Sequence, residues 1–168
     1  MNELLKKDYL RYNNEKMPKF QIYYRKAFCA KNPFSKVLYK TLLKFYRSLN
    51  NIDLASTCKI GGGLYIGHPY CITINPQTII GKNVNIHKGV TIGQENRGAR
   101  KGVPHIGNNV WIGINATIVG NIRIGNDVLI APNSYVNCDV PDHSIVLGNP
   151  CIIKHKSNAT EDYICRTV

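Results

Sequence analysis

Within the stretch GGGLYIGHPYCITINP, residues 61–76, His68 stands where an internal repeat elsewhere places small or polar residues such as Ser56, Gly62, Lys82, Lys88, Asn108 and Asn126. Imidazole exchanges a proton near neutral pH, so its chemistry there would be general acid–base work. The bland alternative is a solvated side chain on an outer face. His87 replaces a corner glycine and reads as structural, and His143 reads as surface. His68, His87 and His105 occupy positions three, two and six of their hexads, so they do not stack, and no close pair argues for zinc. The segment QENRGARKGVPH, residues 94–105, carries Arg97, Arg100 and Lys101, which suit an anionic group or form a solvated charge run. Cys29, Cys58, Cys71, Cys138, Cys151 and Cys165 are scattered with no C-x-x-C pair, as expected of reduced, buried or bystander thiols.

The elements that must position these groups change character near residue 53. Before it the sequence predicts helices: one near Glu3 to Tyr12, one from Pro18 to Ala30, and one opened by Asn32-Pro33 as cap and first turn. Phe34, Val37, Leu38, Leu42, Phe45 and Leu49 recur at helical spacing in the third, with Lys36, Lys40, Lys44 and Arg47 on another face. The apolar side is expected to pack on the following domain or on a neighbouring subunit, while the basic stripe suits an anionic membrane surface or water.

From Leu54 the period becomes six. Leu54, Ile60, Ile66 and Ile72 are followed, after a two-residue slip, by Ile80, Ile86 and Ile92, and beyond the 94–105 insertion by Ile106, Ile112, Ile118, Ile124, Ile130 and Val136. Six fits no helix, but it fits one flat side of a three-sided parallel β-coil with an inward aliphatic residue per side. Three hexads per turn predict four to five coils. The reading is mainly β: residues 1–52 a helical segment, 53–153 a parallel β-helix, 154–168 a polar tail. Flat outer walls suit packing against copies, so a homotrimer is expected.

Of the net charge of +12, residues 1–50 contribute +9, from twelve basic and three acidic side chains. That favours anionic partners, although no nucleic-acid partner is expected. The sequence opens without a signal-peptide pattern and holds no apolar run able to span a bilayer, which predicts a cytoplasmic protein, at most peripheral to a membrane.

The region from Asp53 to about Ile153 resembles the left-handed β-helix, or hexapeptide-repeat, acyltransferases. It is most similar to serine acetyltransferases and to related polysaccharide O-acetyltransferases, through Asp53, Ile66-Gly67-His68, Val90-Thr91-Ile92-Gly93, Pro104-His105-Ile106-Gly107 and the closing segment 139–150. The resemblance implies that His68 is a general base oriented by Asp53, that acetyl-CoA is the acetyl donor, and that no metal is needed. It implies an acetyl-CoA groove near Gly113, Ile114, Ala131 and Pro132, with Lys154 and Lys156 toward the adenosine phosphates. It also places the 94–105 loop beside the acceptor, with His105, Arg97, Arg100 and Lys101 as its contacts. Serine acetyltransferases carry an acidic residue directly before the base and an Arg-His pair before the loop proline, where this chain has Gly67, Gly102 and Val103. On that ground the expected acceptor is a sugar or glycan hydroxyl, in capsule, exopolysaccharide or O-antigen synthesis, including a lipid-linked glycan. Serine acetylation and a non-catalytic trimeric scaffold stand as the alternatives.

Overall fold

The computed structural model describes residues 2–13 and 15–168; Met1 and Asn14, within the expected helical segment, lie outside the described residues. Three helices come first: α1 (Glu3–Tyr12), α2 (Lys19–Cys29) and α3 (Pro33–Ser48). Asn2 caps α1 by accepting from the Leu4 N–H at 2.9 Å, and Asn32 caps α3 by accepting from Phe34 at 2.9 Å. Both side chains satisfy amides that have no intrahelical partner.

The remainder is a left-handed parallel β-helix of three sheets. The first sheet stacks β1 (Asp53–Leu54), β4 (Thr73–Ile74), β7 (Thr91–Gly93), β10 (Thr117–Val119) and β13 (Tyr135–Val136). The second stacks β2 (Lys59–Ile60), β5 (Ile79–Ile80), β8 (His105–Ile106) and β11 (Arg123–Ile124). The third stacks β3 (Tyr65–Gly67), β6 (Asn85–His87), β9 (Val110–Ile112), β12 (Val128–Ile130) and β14 (Ser144–Leu147), closed by the antiparallel β15 (Ile152–His155). Five rungs in the first sheet match the expected four to five coils.

All thirteen hexad aliphatics are buried. Their stacking nevertheless corrects one reading. Leu54 pairs with Ile74, and Ile74 with Ile92, so Ile74 rather than Ile72 stands in the inward column. The two extra residues therefore fall between Ile66 and Ile74, in the turn that carries His68. Elsewhere the third sheet reaches the first by a standard hexad, as from Ile86 to Ile92.

Corners are turned by residues that tolerate the left-handed region. Asn83, Asn109, Asn115, Asp127 and Asn133 all have positive φ. A ladder of side chains ties one corner together: Asn108 Oδ1 accepts from the Lys82 amide at 2.8 Å, Asn126 Oδ1 from Asn108 at 2.9 Å, and Asp142 Oδ1 from Asn126 at 2.7 Å.

The first coil has no rung beneath it, and α1 and α2 supply polar side chains in its place. Asp8 and Arg25 form a fully buried ion pair at 2.7 Å. Asp8 Oδ1 accepts from the Gly63 and Leu64 amides, each at 3.0 Å, while Arg25 donates to the Ile60 and Gly61 carbonyls at 2.7 and 2.6 Å. Gln21 donates to the Leu64 carbonyl, Tyr24 to the Cys58 carbonyl, and the Tyr12 hydroxyl accepts from the Ile66 amide. The charges are neutralised within the same network that completes the backbone hydrogen bonds, which is the condition for burying them.

Of the two placements expected for the apolar side of helix α3, the chain's own coil accounts for little. Phe34, Val37, Leu38, Phe45 and Leu49 are exposed and Leu43 is its buried contact with the core, so most of the apolar stripe does not pack on the coil. Lys36, Lys40 and Lys44 are exposed as read, but Arg47 turns inward to the Leu54 carbonyl at 3.0 Å. No described helix is long and apolar enough to cross a membrane.

Candidate active site

His68 follows β3 on the enlarged corner, with its backbone in the left-handed region at φ 54° and its side chain exposed. The same left-handed backbone recurs at the other corners of the coil, so it marks a corner position. The turn is held by the Tyr70 amide donating to the His68 carbonyl at 2.8 Å and the Cys71 amide to the Asn50 carbonyl at 2.9 Å. Asp53 lies alongside, its amide bonded to the Ile72 carbonyl at 2.8 Å. Its carboxylate, however, faces Arg47 at 3.3 Å, and among the described residues it makes no hydrogen bond to His68. Arg47 is a neighbour that the sequence reading placed on a solvated face.

His87, read as structural, lies beside His68. The two imidazoles lie 6.4 Å apart between centroids, and His87 sits 4.8 Å from the Trp111 ring, which meets Tyr163 at 5.0 Å. A Cβ on Gly67 would lie 2.5 Å from His87 Nδ1 and 2.6 Å from Cε1. The ring therefore fills the space that a side chain at 67 would need. His87 Nε2 is buried without a partner among the described residues. Burial first and the neighbouring His68 second push the His87 pKa down to about 4, so this second imidazole is neutral across the physiological range. Register brings Gly67 and His87 together, opposite one another in the β3–β6 pair; the hexad count gives the same pairing, because Ile66 and Ile86 stand three hexads apart wherever the slip falls between them.

The same corner continues upward to the expected cofactor positions. Ile86 pairs with Ile112 and Ile112 with Ile130, so Gly113 and Ala131 stand one residue further on in the column above Gly67 and His87. Gly113 approaches Pro132 so closely that a Cβ would lie 2.6 Å from its nitrogen. Asn133 donates to the Ile114 carbonyl at 2.9 Å, which stacks the two turns. Lys154, on β15, and Lys156, just beyond it, are exposed near that end of the coil.

The loop residues are not gathered at His68 in the single chain. The insertion is a hairpin closed by mutual amide–carbonyl bonds between Glu95 and Gly102, each 2.9 Å, and it docks through the Asn121 amide on the Arg100 carbonyl at 2.8 Å. Arg97, Arg100 and Lys101 are exposed on it. His105 starts β8 in the second sheet, exposed, beside Asn121, Arg123 and Asp139 in a cavity of about 300 Å³. Among the described residues no group of three or more His, Cys, Asp or Glu is placed to hold a metal ion.

Residues 104–138 match the family model described as bacterial transferase hexapeptide (six repeats). The chain is 35% identical over 127 residues to serine acetyltransferase 2 of Arabidopsis thaliana, covering 76% of this chain and 39% of the relative. It is 35% identical over 130 residues to the serine acetyltransferase of Staphylococcus aureus, covering 77% and 57%. It thus spans between about two fifths and three fifths of the length of these relatives. Among solved structures, soybean serine acetyltransferase complexed with serine aligns with a TM-score of 0.73 at 27% identity over 88% of this chain and 67% of that one. A serine acetyltransferase in complex with CoA aligns at 0.68, with 30% identity over 80% and 55%.

These findings correct the acceptor expectation. The curated relatives and solved structures named above are serine acetyltransferases, and none supports a sugar or glycan acceptor or a place in polysaccharide synthesis. The expectation rested on side chains absent at Gly67, Gly102 and Val103. At Gly67 the structure supplies a different reason for the absence: the His87 ring occupies the volume, so glycine there reports the packing of this corner and not the charge of the acceptor. The repeat, the three-sided coil and the aligned relatives together place the chain among the hexapeptide-repeat, left-handed β-helix acyltransferases, closely related to the serine acetyltransferases.

Proposed function

We propose that the chain is an acetyl-CoA-dependent O-acetyltransferase whose acceptor is the hydroxyl of serine or of a similarly small molecule, with His68 as general base. The observation that carries this reading is the position of His68, displayed on an enlarged corner at the foot of the column that leads to Gly113 and Ala131. In this mechanism His68 takes the hydroxyl proton as the oxygen attacks the thioester carbonyl. The tetrahedral intermediate then collapses, the carbon–sulfur bond breaks, and the CoA sulfur leaves with a proton returned by the imidazolium. Holding base, acceptor and thioester together supplies much of the acceleration. Asp53 is the carboxylate nearest in the chain to this turn, and its proposed role is to orient His68 once Arg47 yields it. The relatives' names support acetyl transfer to serine, and the CoA complex supports the donor.

The loop residues Arg97, Arg100, Lys101 and His105 are assigned to the acceptor side of a neighbouring subunit's site, within a homotrimer. Lys154 and Lys156 are assigned to the CoA phosphates, and the reduced cysteines fit a cytoplasmic setting. Light scattering is expected to give three times the chain mass. The function is tested by thiol release from acetyl-CoA with and without serine. Serine-dependent release is expected, and His68→Ala should lower it by about 10²–10⁴-fold. A folded protein that releases CoA no faster with serine or other small hydroxy compounds would refute the reading.

A further inference from the structure

Arg11 is 2% exposed, yet no carboxylate among the described residues lies within ion-pair distance of its guanidinium. Its terminal nitrogens donate to the Gly63 carbonyl at 2.9 Å and to Asn85 Oδ1 at 2.6 Å, and its Nε is buried with no partner among the described residues. Asp8, on the same helix, is committed to Arg25. Glu15, the acidic residue closest in the hydrogen-bond network, accepts from the Tyr65 hydroxyl at 3.0 Å and not from an arginine. A second cation lies close by. Arg166, on the C-terminal segment, is near enough to add to the effect of burial in depressing the Arg11 pKa. Two cations side by side, one of them buried, are unfavourable unless something neutralises them.

Between them is a cavity of about 140 Å³ lined by Arg11, Tyr65, Asn85, Tyr163, Cys165 and Arg166. It is smaller than the roughly 300–1,000 Å³ that accommodates cofactor-sized molecules. No carboxylate lines it, and its donors include two guanidinium groups, the geometry that planar, bidentate recognition of oxyanions uses. We propose that this cavity, where α1, the first rungs of the third sheet and the C-terminal segment meet, binds a small oxyanion of phosphate size. It is separate from the acetyl-transfer corner: Tyr65 and Asn85 lie on the strands β3 and β6 that carry Gly67 and His87, but two residues earlier on each strand. An anion here would join the helical segment to the C-terminal segment through charge.

Heat unfolding in sodium phosphate against sodium chloride of equal ionic strength tests the site. Phosphate should raise the melting temperature saturably, because a ligand held only by the folded state stabilises it by mass action. Arg166→Ala should raise the half-saturating phosphate concentration by about tenfold or more, from the loss of a charged hydrogen bond. Without phosphate that variant should melt no lower than the parent, since a like charge beside Arg11 is gone. Lys154→Ala should leave the phosphate response intact, and Arg166→Ala should leave CoA binding intact. A response equal in chloride, or equal in Arg166→Ala, would mean ionic screening only and overturn the proposal. A response lost in Lys154→Ala but kept in Arg166→Ala would place phosphate in the CoA site and overturn it as well. Failure of serine-dependent thiol release, in contrast, leaves the phosphate response unaffected.

Discussion

His87 and Gly67 form a steric pair whose consequences are measurable. Gly67→Ala forces a methyl against the His87 ring. It is expected to destabilise the fold by about 1–3 kcal/mol and to disturb the turn that carries His68, since inserted volume in a packed corner displaces its neighbours. His87→Gly made in the Gly67→Ala background should recover part of that loss, and a double-mutant cycle of denaturant midpoints measures the coupling. The neutral state of His87 has its own signature. Its folded pKa of about 4 lies below the ordinary 6.5, so in that window the unfolded chain binds the extra proton. The stability that this residue contributes is complete above pH 6.5 and declines as pH falls toward 4. His87→Gln should flatten the dependence of melting temperature on pH across that interval.

At the scale of elements, the buried Asp8–Arg25 pair joins α1 to α2 and both to the first coil. Asp8→Ala leaves a buried guanidinium without its counter-charge and two rung amides without acceptors; a loss of about 3–5 kcal/mol is expected in urea unfolding. The C-terminal segment is fastened by another carboxylate. Asp127 accepts from the Ala159 and Thr160 amides at 3.0 and 2.9 Å, from the Thr160 hydroxyl at 2.7 Å and pairs with His143 at 2.8 Å. Burial by itself would raise this carboxyl's pKa, but the bonds from Thr160, His143 and Ala159 outweigh it and leave the pKa below the usual value. A lowered pKa means the attachment is intact above the unfolded-state value of 3.8 and is lost only as pH falls through the lower folded value. Asp127→Ala should therefore release residues 159–168 at neutral pH, seen as faster amide exchange there with the coil still protected.

The whole coil was legible in the sequence because an inward position in a narrow prism accepts little but an aliphatic side chain, so thirteen of them betray the period. The slip was misplaced for the same reason: Ile72 and Ile74 are both aliphatic and both buried, and only the pairing of Leu54 with Ile74 tells them apart. His68 stands out in the sequence because it breaks the repeat, and its pairing with Asp53 rests on the family resemblance. The diversion of Asp53 to Arg47 and the pairing of Asp8 with Arg25 depend on how separate turns and helices meet, and no periodicity encodes that. The acceptor expectation took three missing side chains as a statement about substrate charge, and at one of them, Gly67, a neighbouring ring had taken the room.

A stack of identical rungs has no intrinsic stopping point, and its lowest rung offers the same unpaired amides and carbonyls that every rung above has already used. By dressing that rung with Asp8, Gln21, Tyr24 and Arg25, the chain occupies an end surface on which a second prism would grow. Stripping the helices from the coil is expected to turn a finite particle into a filament-forming one, with light scattering that climbs with protein concentration.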